Sequence, residues 1–185
     1  MIDWFKSSMS RRTLFGTALV AGAGTSALAK AAHGGRMITS GQVDNARNGF
    51  DPHDMLTDWD TGTVSHRPDG RRVRYFEMSA MDREIEIAPN LIFSAWTYNG
   101  RVPGPTLRVT EGDIVRIQFE NQSTHAHTIH FHGIHSARMD GIPGVGEILP
   151  GEIFVYEFEA QPFGCHLYHC HSTPLRRHLH KGLYG

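Results

Sequence analysis

The chain has 185 residues, of which 39% are hydrophobic, and its formal net charge is −1. This length allows one compact domain with short extensions, because single domains usually span about 100–200 residues. The near-neutral charge argues against a nucleic-acid or polyanion partner held by a basic surface.

The first 32 residues are typical of an export signal. Ser10–Phe15 has a twin-arginine pattern, and an uncharged Ala/Gly-rich run extends from Thr13 to Ala29 with a small-x-small cleavage pattern at its end. A membrane-spanning helix needs about 20 predominantly apolar residues, so this run favours a cleaved signal over an uncleaved anchor. We therefore expect a bacterial protein without a membrane span, exported by the twin-arginine pathway to the periplasm or beyond.

Residues 33–70 are polar and rich in turn residues, which predicts an irregular N-terminal arm. Residues 71–185 predict one domain. Its expected strands cover residues 72–78, 84–88, 91–98, 113–120 and 154–158. In the fourth strand Val115, Ile117 and Phe119 alternate with polar residues, as in a half-buried strand. No helical period follows the signal, so we predict an all-β, Greek-key β-sandwich.

The two cysteines are predicted not to form a disulfide. Cys165 and Cys170 would lie about 16 Å apart on an extended segment, at about 3.3 Å per residue. A disulfide tolerates about 7 Å between Cα atoms. Each is therefore a free thiol or a metal ligand, and we expect Cys165 to be a buried or half-buried thiol.

Most of the thirteen histidines fall between residues 125 and 180. Two motifs stand out, His127-Thr-Ile-His130-Phe-His132 and His169-Cys170-His171. Side chains alternate between the two faces of a strand. The two predicted sets are His127 with Cys170 on one face, and His130, His132, His169 and His171 on the other.

The first set, completed by His178, matches a trigonal His₂Cys copper site for electron transfer. Leu183 stands where a weak axial methionine is usual, and because leucine cannot coordinate, we expect a raised reduction potential. Met139 is a conceivable substitute, and His180 is the alternative to His178. The four imidazoles of the second set suit copper ions with positions open to O₂. The peptide bonds around Cys170 join the two sets.

Residues 98–185 resemble the multicopper oxidases, which are built from cupredoxin domains. The resemblance lies in the two histidine motifs and in the segments 99–105, 111–113, 140–141, 149–152 and 182–185. It implies copper as cofactor, with His127, Cys170 and His178 as type 1 ligands, Leu183 at the non-coordinating axial position, His130 as a type 2 ligand, and His132, His169 and His171 as type 3 ligands. Three further implications are a cupredoxin-like fold, O₂ as one substrate and a small reductant as the other.

The resemblance also implies a missing partner. A trinuclear copper cluster in this family takes eight histidines, and four stand at matching positions here. A second cupredoxin domain or a neighbouring subunit would supply the rest, as in two-domain oxidases with type 1 copper in the first domain, and a homotrimer is expected for the intact protein. A last core strand is expected after Leu183, so we interpret the sequence as a truncated gene product.

The leading functional hypothesis is an oxidase that passes single electrons from a phenol or metal ion through type 1 copper to O₂, forming water. The first alternative is a single-domain copper-binding or electron-transfer protein without oxygen chemistry. The second is a copper nitrite reductase, which would carry Asp in place of His130 and no histidine at position 171. His125, His135, His166 and His180 are expected at the surface or in hydrogen bonds, and Asp140 in a turn or in proton delivery.

Overall fold

The structure is a computed structural model that describes residues 40–185. The predicted signal, residues 1–32, and the start of the predicted arm, residues 33–39, lie outside the described residues. Within the described part, neither α-helix is long and apolar enough to cross a membrane.

Nine strands and two α-helices form the described part of the chain. The strands are β1 (Trp59–Asp60), β2 (Thr63–His66), β3 (Arg72–Ala88), β4 (Leu91–Tyr98), β5 (Thr106–Leu107), β6 (Ile114–Asn121), β7 (His130–Phe131), β8 (Ile153–Glu159) and β9 (Tyr168–His169). The helices are α1 (Asn45–Asn48) and α2 (Leu175–Lys181), and single 3₁₀ turns cover Asp54–Leu56 and Ala137–Met139. The predicted all-β class is confirmed.

The main sheet has the order β2-β3-β6-β8, with β4 also paired to β3. Strand β3 changes partner at Ala80, because residues 73–80 pair in parallel with β6 and residues 80–88 pair antiparallel with β4. The two strands predicted at 72–78 and 84–88 are therefore one continuous strand. The residues between the two predicted segments interrupt the strand pattern, so the sequence indicated two strands where there is one.

The core forms where the alternating pattern predicts it. Val115, Ile117 and Phe119 are buried, as are Tyr156 and Phe158 of the facing stripe. The same apolar cluster includes Cys170 and Leu183. The strongest metal-ligand candidate of the sequence is thus embedded in the core of the fold.

The predicted arm is more ordered than its composition indicates. Strand β2 pairs antiparallel with the start of β3, although all four of its residues are exposed and give no alternating signal. In α1, the buried amide of Asn48 donates to the Glu86 carbonyl (3.0 Å) and accepts from the Glu86 N–H (2.8 Å). These bonds attach residues 40–70 to the sheet without requiring a hydrophobic face.

Helix α2 contradicts the expectation that no helix follows the signal. It begins after Pro174 and ends at Gly182, which has φ +116° and donates its N–H to His178 and Leu179 carbonyls. Seven residues are too few to establish a helical period in the sequence. The helix matters because it carries His178.

Candidate metal centre

The pairing of β7 with β9 brings the two histidine motifs together. His130 lies opposite His169 in this antiparallel pair. His127 precedes β7 and pairs with Ile148, and Cys170 directly follows β9. Donor atoms close enough to share a metal ion form three groups: His127, Cys170 and His178; His130, His132 and His169; and His130, His135 and Asp140. The first two draw on both histidine motifs, and His171 is in none of the three.

The first group, here named the cysteine group, comprises His127, Cys170 and His178, all buried. The His178 Nδ1 atom lies 3.2 Å from Cys170 Sγ and 3.2 Å from His127 Nδ1. The remaining distance, from Cys170 Sγ to His127 Nδ1, is 3.7 Å. Three donors thus face a common point.

Hydrogen bonding determines which nitrogen His127 presents. The Ser123 hydroxyl donates to Asp82 Oδ1 (3.0 Å) and lies 2.8 Å from His127 Nε2. Because its hydrogen is used on Asp82, Ser123 accepts from His127 Nε2–H. The lone pair of His127 Nδ1 is therefore free to face Cys170. Burial, followed by the charge of His178, lowers the pKa of His127 to about 3, so the ring is neutral.

The Cys170 sulfur receives two hydrogen bonds from Thr128, one from the backbone N–H (3.4 Å) and one from the hydroxyl (3.8 Å). Burial raises the pKa of the Cys170 thiol, and the N–H of Thr128 opposes that shift. Without metal the group is a thiol, so metal binding must displace its proton. Burial also lowers the pKa of His178, with smaller contributions from His125 and Arg177.

The cysteine group fits one copper ion. Bonds of about 2.0 Å to nitrogen and 2.3 Å to sulfur place trigonal donors about 3.5–3.7 Å apart. The observed separations of 3.2–3.7 Å agree with this geometry. Two neutral imidazoles and one thiolate are also the donor set that favours copper in a trigonal electron-transfer site.

The second group, here named the histidine group, comprises His130, His132 and His169. His130 Nδ1 donates to the Asp140 carbonyl (2.6 Å), and His169 Nδ1 donates to the Cys170 carbonyl (2.9 Å). Both rings therefore present Nε2 lone pairs, and His169 Nε2 lies 2.8 Å from His132 Nε2. Three convergent imidazoles without a thiolate fit a copper ion that retains open positions.

The other predicted site residues lie at different places relative to the two donor groups. The His171 ring lies 5.2 Å from the His130 ring, at the edge of the histidine group. Leu183 is fully buried, and its carbonyl accepts from the Cys170 N–H (3.0 Å). Met139, the conceivable substitute, instead accepts from the Glu157 N–H (3.5 Å).

Two further predictions can be compared directly with the structure. His180 is exposed, whereas His178 points into the cysteine group, so the structure brings together His178 and not its alternative. Cys165 is a free thiol, but it is exposed and not buried as predicted. It lies in the loop before β9, where no core strand covers it.

Sequence reasoning missed Trp96, whereas His135 and Asp140, which it placed outside the ligand sets, lie beside the histidine group. His135 Nε2 lies 3.5 Å from Asp140 Oδ1, which is 3.1 Å from His130 Nδ1. The Trp96 ring packs 4.9 Å from the His178 ring and 5.4 Å from that of His127. The proximity of Asp140 to the motif was a weak signal, but no local pattern connects Trp96 of β4 to the cysteine group.

A family profile described as multicopper oxidase matches residues 82–185, more than half of the chain. The chain belongs to the multicopper oxidase family. The match includes both histidine motifs, all of β4 and all of α2. Copper is accordingly the cofactor that this family membership implies.

Named relatives agree with the family assignment. A copper resistance protein A homologue from Pseudomonas syringae pv. tomato is 38% identical over 109 residues, which cover 57% of this chain and 18% of that protein. A solved multicopper oxidase superposes with a TM-score of 0.75 at 55% identity, over 78% of this chain and 51% of that chain. The predicted cupredoxin-like fold is confirmed by this similarity.

A copper-containing nitrite reductase from Neisseria meningitidis is also similar. It is 31% identical over 111 residues, which cover 59% of this chain and 28% of that protein. The chain therefore spans about half or less of the length of these relatives.

Proposed function

We propose that this chain is the electron-accepting part of a copper-dependent oxidase, which oxidises a phenol or a metal ion and reduces O₂ to water. Bound copper would supply one-electron redox chemistry at the cysteine group and O₂ reduction at the histidine group. The net reaction consumes four electrons and four protons per O₂ and yields two water molecules.

Each residue would have a defined role. His127, Cys170 and His178 would hold type 1 copper, with Leu183 at the axial position and a raised reduction potential as the result. His130 would be a type 2 ligand. The proposed type 3 ligands are His132, His169 and His171. The Asp140 carboxylate, 3.1 Å from His130 Nδ1, would help to orient the His130 ring.

One observation carries the proposal: the two donor groups meet at a single peptide unit. Cys170 Sγ lies in the cysteine group, while the Cys170 carbonyl accepts from Nδ1 of His169, a member of the histidine group. An electron that enters beside the sulfur therefore has a short, largely covalent route to the second group. An electron carrier without oxygen chemistry would not need this route.

We further propose that the remaining cluster ligands come from a second cupredoxin domain or a neighbouring subunit, in a homotrimer. The histidine group supports this because its three imidazoles, or four with His171, are at most half of the eight that the cluster takes. His132 is exposed, so the open side of the group is accessible to such a partner. The twin-arginine pattern supports export to the periplasm or beyond.

The test combines metal content, colour and oxygen consumption. The copper-loaded protein should show a thiolate-to-copper absorption band and should consume one O₂ for every four electrons donated. Cys170→Ser should abolish the band and the turnover, whereas Cys165→Ser, which alters the exposed thiol, should retain both. Colour without O₂ uptake would reject O₂ reduction by this chain on its own in favour of the electron carrier, and absence of copper would reject both.

Nitrite reduction is a second candidate, favoured by the 31% identical Neisseria relative. Against it, His130 stands where those enzymes would carry Asp, and His171 follows the thiolate. Anaerobic incubation with a reductant and nitrite should therefore yield no nitric oxide. Nitric oxide formed at the rate of reductant oxidation would favour the reductase.

A further inference from the structure

The third group of donor atoms adjoins the histidine group on its outer side. It consists of His135, Asp140 and Nδ1 of His130, with all donor atoms within 4.8 Å of one another. His135 Nε2 lies 3.5 Å from Asp140 Oδ1, and that oxygen lies 3.1 Å from His130 Nδ1. His135 and Asp140 stand on either side of the 3₁₀ turn Ala137–Met139, and neither belongs to the two copper ligand sets.

Hydrogen bonds decide which of these atoms are free to bind an ion. His135 Nδ1 donates to the Ser136 carbonyl (3.0 Å), so the neutral ring presents the lone pair of Nε2 to the Asp140 carboxylate. Two acceptors that face each other without a hydrogen between them repel, and a cation placed between them removes the repulsion. His130 Nδ1 gives its hydrogen to the Asp140 carbonyl (2.6 Å), so we do not count it as a ligand.

The fold holds the segment that carries the two free donors. The Met139 sulfur accepts from the Glu157 N–H of β8 (3.5 Å), which attaches the 3₁₀ turn to the main sheet. Gly141 has φ +66°, and a Cβ there would clash with the Ile129 carbonyl just before β7. Because both ends of the segment already lie against strands, binding an ion needs little further ordering of the chain.

The separation of the two donors fits a first-row transition metal. Bonds of about 2.0–2.2 Å to imidazole nitrogen and carboxylate oxygen place tetrahedral donors about 3.4 Å apart. The observed separation of His135 Nε2 and Asp140 Oδ1 is 3.5 Å. One imidazole with one carboxylate suits copper(II) or zinc(II), whereas magnesium and calcium prefer oxygen ligands alone. The two side chains are 15% and 29% exposed, so water can complete the coordination.

We propose that His135 and Asp140 form a third metal site, which takes one divalent transition-metal ion with water as its remaining ligands. Two protein ligands make this site weaker than the cysteine group, which offers three and among them a thiolate. The bound ion would lie beside the His130 ring, whose centre is 5.0 Å from that of His135. The proposal concerns metal binding alone and does not depend on the proposed oxidase.

The binding test uses the full chain after copper loading, with loosely held metal removed by a weak chelator. Zinc(II), copper(II) and magnesium(II) are then added separately in a calorimeter. The protein should take up one further zinc or copper ion, with copper(II) bound about tenfold or more tighter than zinc(II), and no magnesium. Absence of a further ion, or equal affinity for zinc and magnesium, would overturn the proposal without any substitution.

Pulsed electron paramagnetic resonance identifies the donors of the added copper(II). The difference between spectra recorded before and after the addition isolates the new ion. At the third site that ion should couple to a single imidazole ring. Coupling to two or more imidazoles would place the ion in the histidine group and would also overturn the proposal.

Variants locate the site. His135→Gln, which removes the imidazole donor, and Asp140→Asn, which removes the carboxylate charge, should each weaken the further zinc ion by about tenfold or more. His53→Gln is the matched control, because His53 Nδ1 also lies beside a carboxylate, 3.2 Å from Asp51 Oδ1, at a far more exposed position. Its zinc affinity should equal that of the native protein. Zinc binding retained in both site variants, or lost in the control, would place the ion elsewhere.

The absorption of the cysteine group separates this inference from the proposed function. A thiolate-to-copper band of native position in each variant shows that the fold is intact. If the further zinc ion binds but no coloured copper site forms in the native protein, the third site stands and the oxidase fails. If the copper site is coloured and O₂ is consumed but no further ion binds, the oxidase stands and the third site fails.

Discussion

At the scale of single residues, the site depends on side chains that hold the ligands in place. Ser123 accepts from His127 Nε2 and donates to Asp82, so it fixes both the tautomer and the orientation of the imidazole. Ser123→Ala should weaken copper binding at the cysteine group by about 10–100-fold, because loss of such a partner typically has that effect. Competition with a calibrated copper chelator measures it.

The matched control for that substitution is Thr124→Ala. Thr124 also donates to Asp82 (2.8 Å), but it has no contact with the His127 ring among the hydrogen bonds of residues 40–185. Its copper affinity should stay near that of the unaltered protein. Equal affinities for the two variants would show that the Ser123 bond does not orient the ligand.

The same histidine predicts how the stability of the copper-free protein depends on pH. Burial lowers the pKa of His127 from 6.5 to about 3, so between these values the unfolded chain takes up a proton that the folded chain does not. Stability contributed by the neutral ring is complete above pH 6.5 and falls as the pH decreases, by up to about 1.4 kcal/mol per unit. Urea unfolding between pH 7 and pH 4 measures this slope.

His127→Gln supplies the comparison, because glutamine does not titrate. The slope of unfolding free energy against pH should flatten in this variant. Burial acts to raise the pKa of the Asp113 carboxyl, but hydrogen bonds from Arg74, the Thr110 N–H and Arg72 lower it overall, so this group also loses stability as the pH falls, and does so equally in both proteins. Identical slopes in the two proteins would assign the acid sensitivity to other groups.

At the scale of elements, α2 depends on its C-terminal glycine. Gly182 has φ +116°, and a Cβ there would lie 2.6 Å from Val102 Cγ2 and 2.9 Å from the Trp96 carbonyl. Gly182→Ala should lower the free energy of unfolding by about 2–4 kcal/mol, through backbone strain and overpacking together. It should also shift the absorption of the copper site, because α2 carries His178. Thermal unfolding and visible spectra measure the two effects.

Gly151→Ala isolates the contribution of the backbone. Gly151 has φ +84°, but a Cβ there would meet nothing within 4 Å. Gly151→Ala should lower the free energy of unfolding by about 1–2 kcal/mol, and the absorption spectrum of the copper site should not change. If both variants lose the same stability and keep the same spectrum, the close packing of α2 against Val102 does not position His178.

The elements also show what the sequence could and could not reveal. Alternation in β6 and β8 predicted buried Val115 and Tyr156, because one face of each strand must pack on the core. The spacing of the two histidine motifs predicted, for a similar reason, that His127 and Cys170 lie on one side and His130, His132 and His169 on the other, since the period of a strand is two. No local sequence pattern predicted helix α2 or the contact of Trp96 with His178. They depend on tertiary packing between residues far apart in the chain.

At the scale of the whole molecule, hydrogen bonds from tyrosines of the sheet hold in place the segment between the two donor groups. The Tyr98 hydroxyl of β4 donates to the Thr128 carbonyl (2.6 Å). The Tyr156 hydroxyl of β8 accepts from the Ile129 N–H (2.9 Å) and donates to the Gly146 carbonyl (2.7 Å). Thr128 and Ile129 lie between His127 and His130, so strands at two places in the sheet set the distance between the groups.

Tyr156→Phe should therefore disturb both groups at once. The ring still fills the core, but the buried N–H of Ile129 loses its partner, which costs about 1–3 kcal/mol. Tyr75→Phe removes a hydroxyl that bonds Gln118 at the partly exposed face of the sheet, and should cost less than about 1 kcal/mol. Chemical unfolding gives the two energies, and electron paramagnetic resonance of the copper-loaded variants distinguishes type 1 copper at the cysteine group from type 2 copper at the histidine group. Because one hydroxyl supports the link between the groups, Tyr156→Phe should broaden the signals of both types, whereas a change confined to one type would show that the groups are positioned independently.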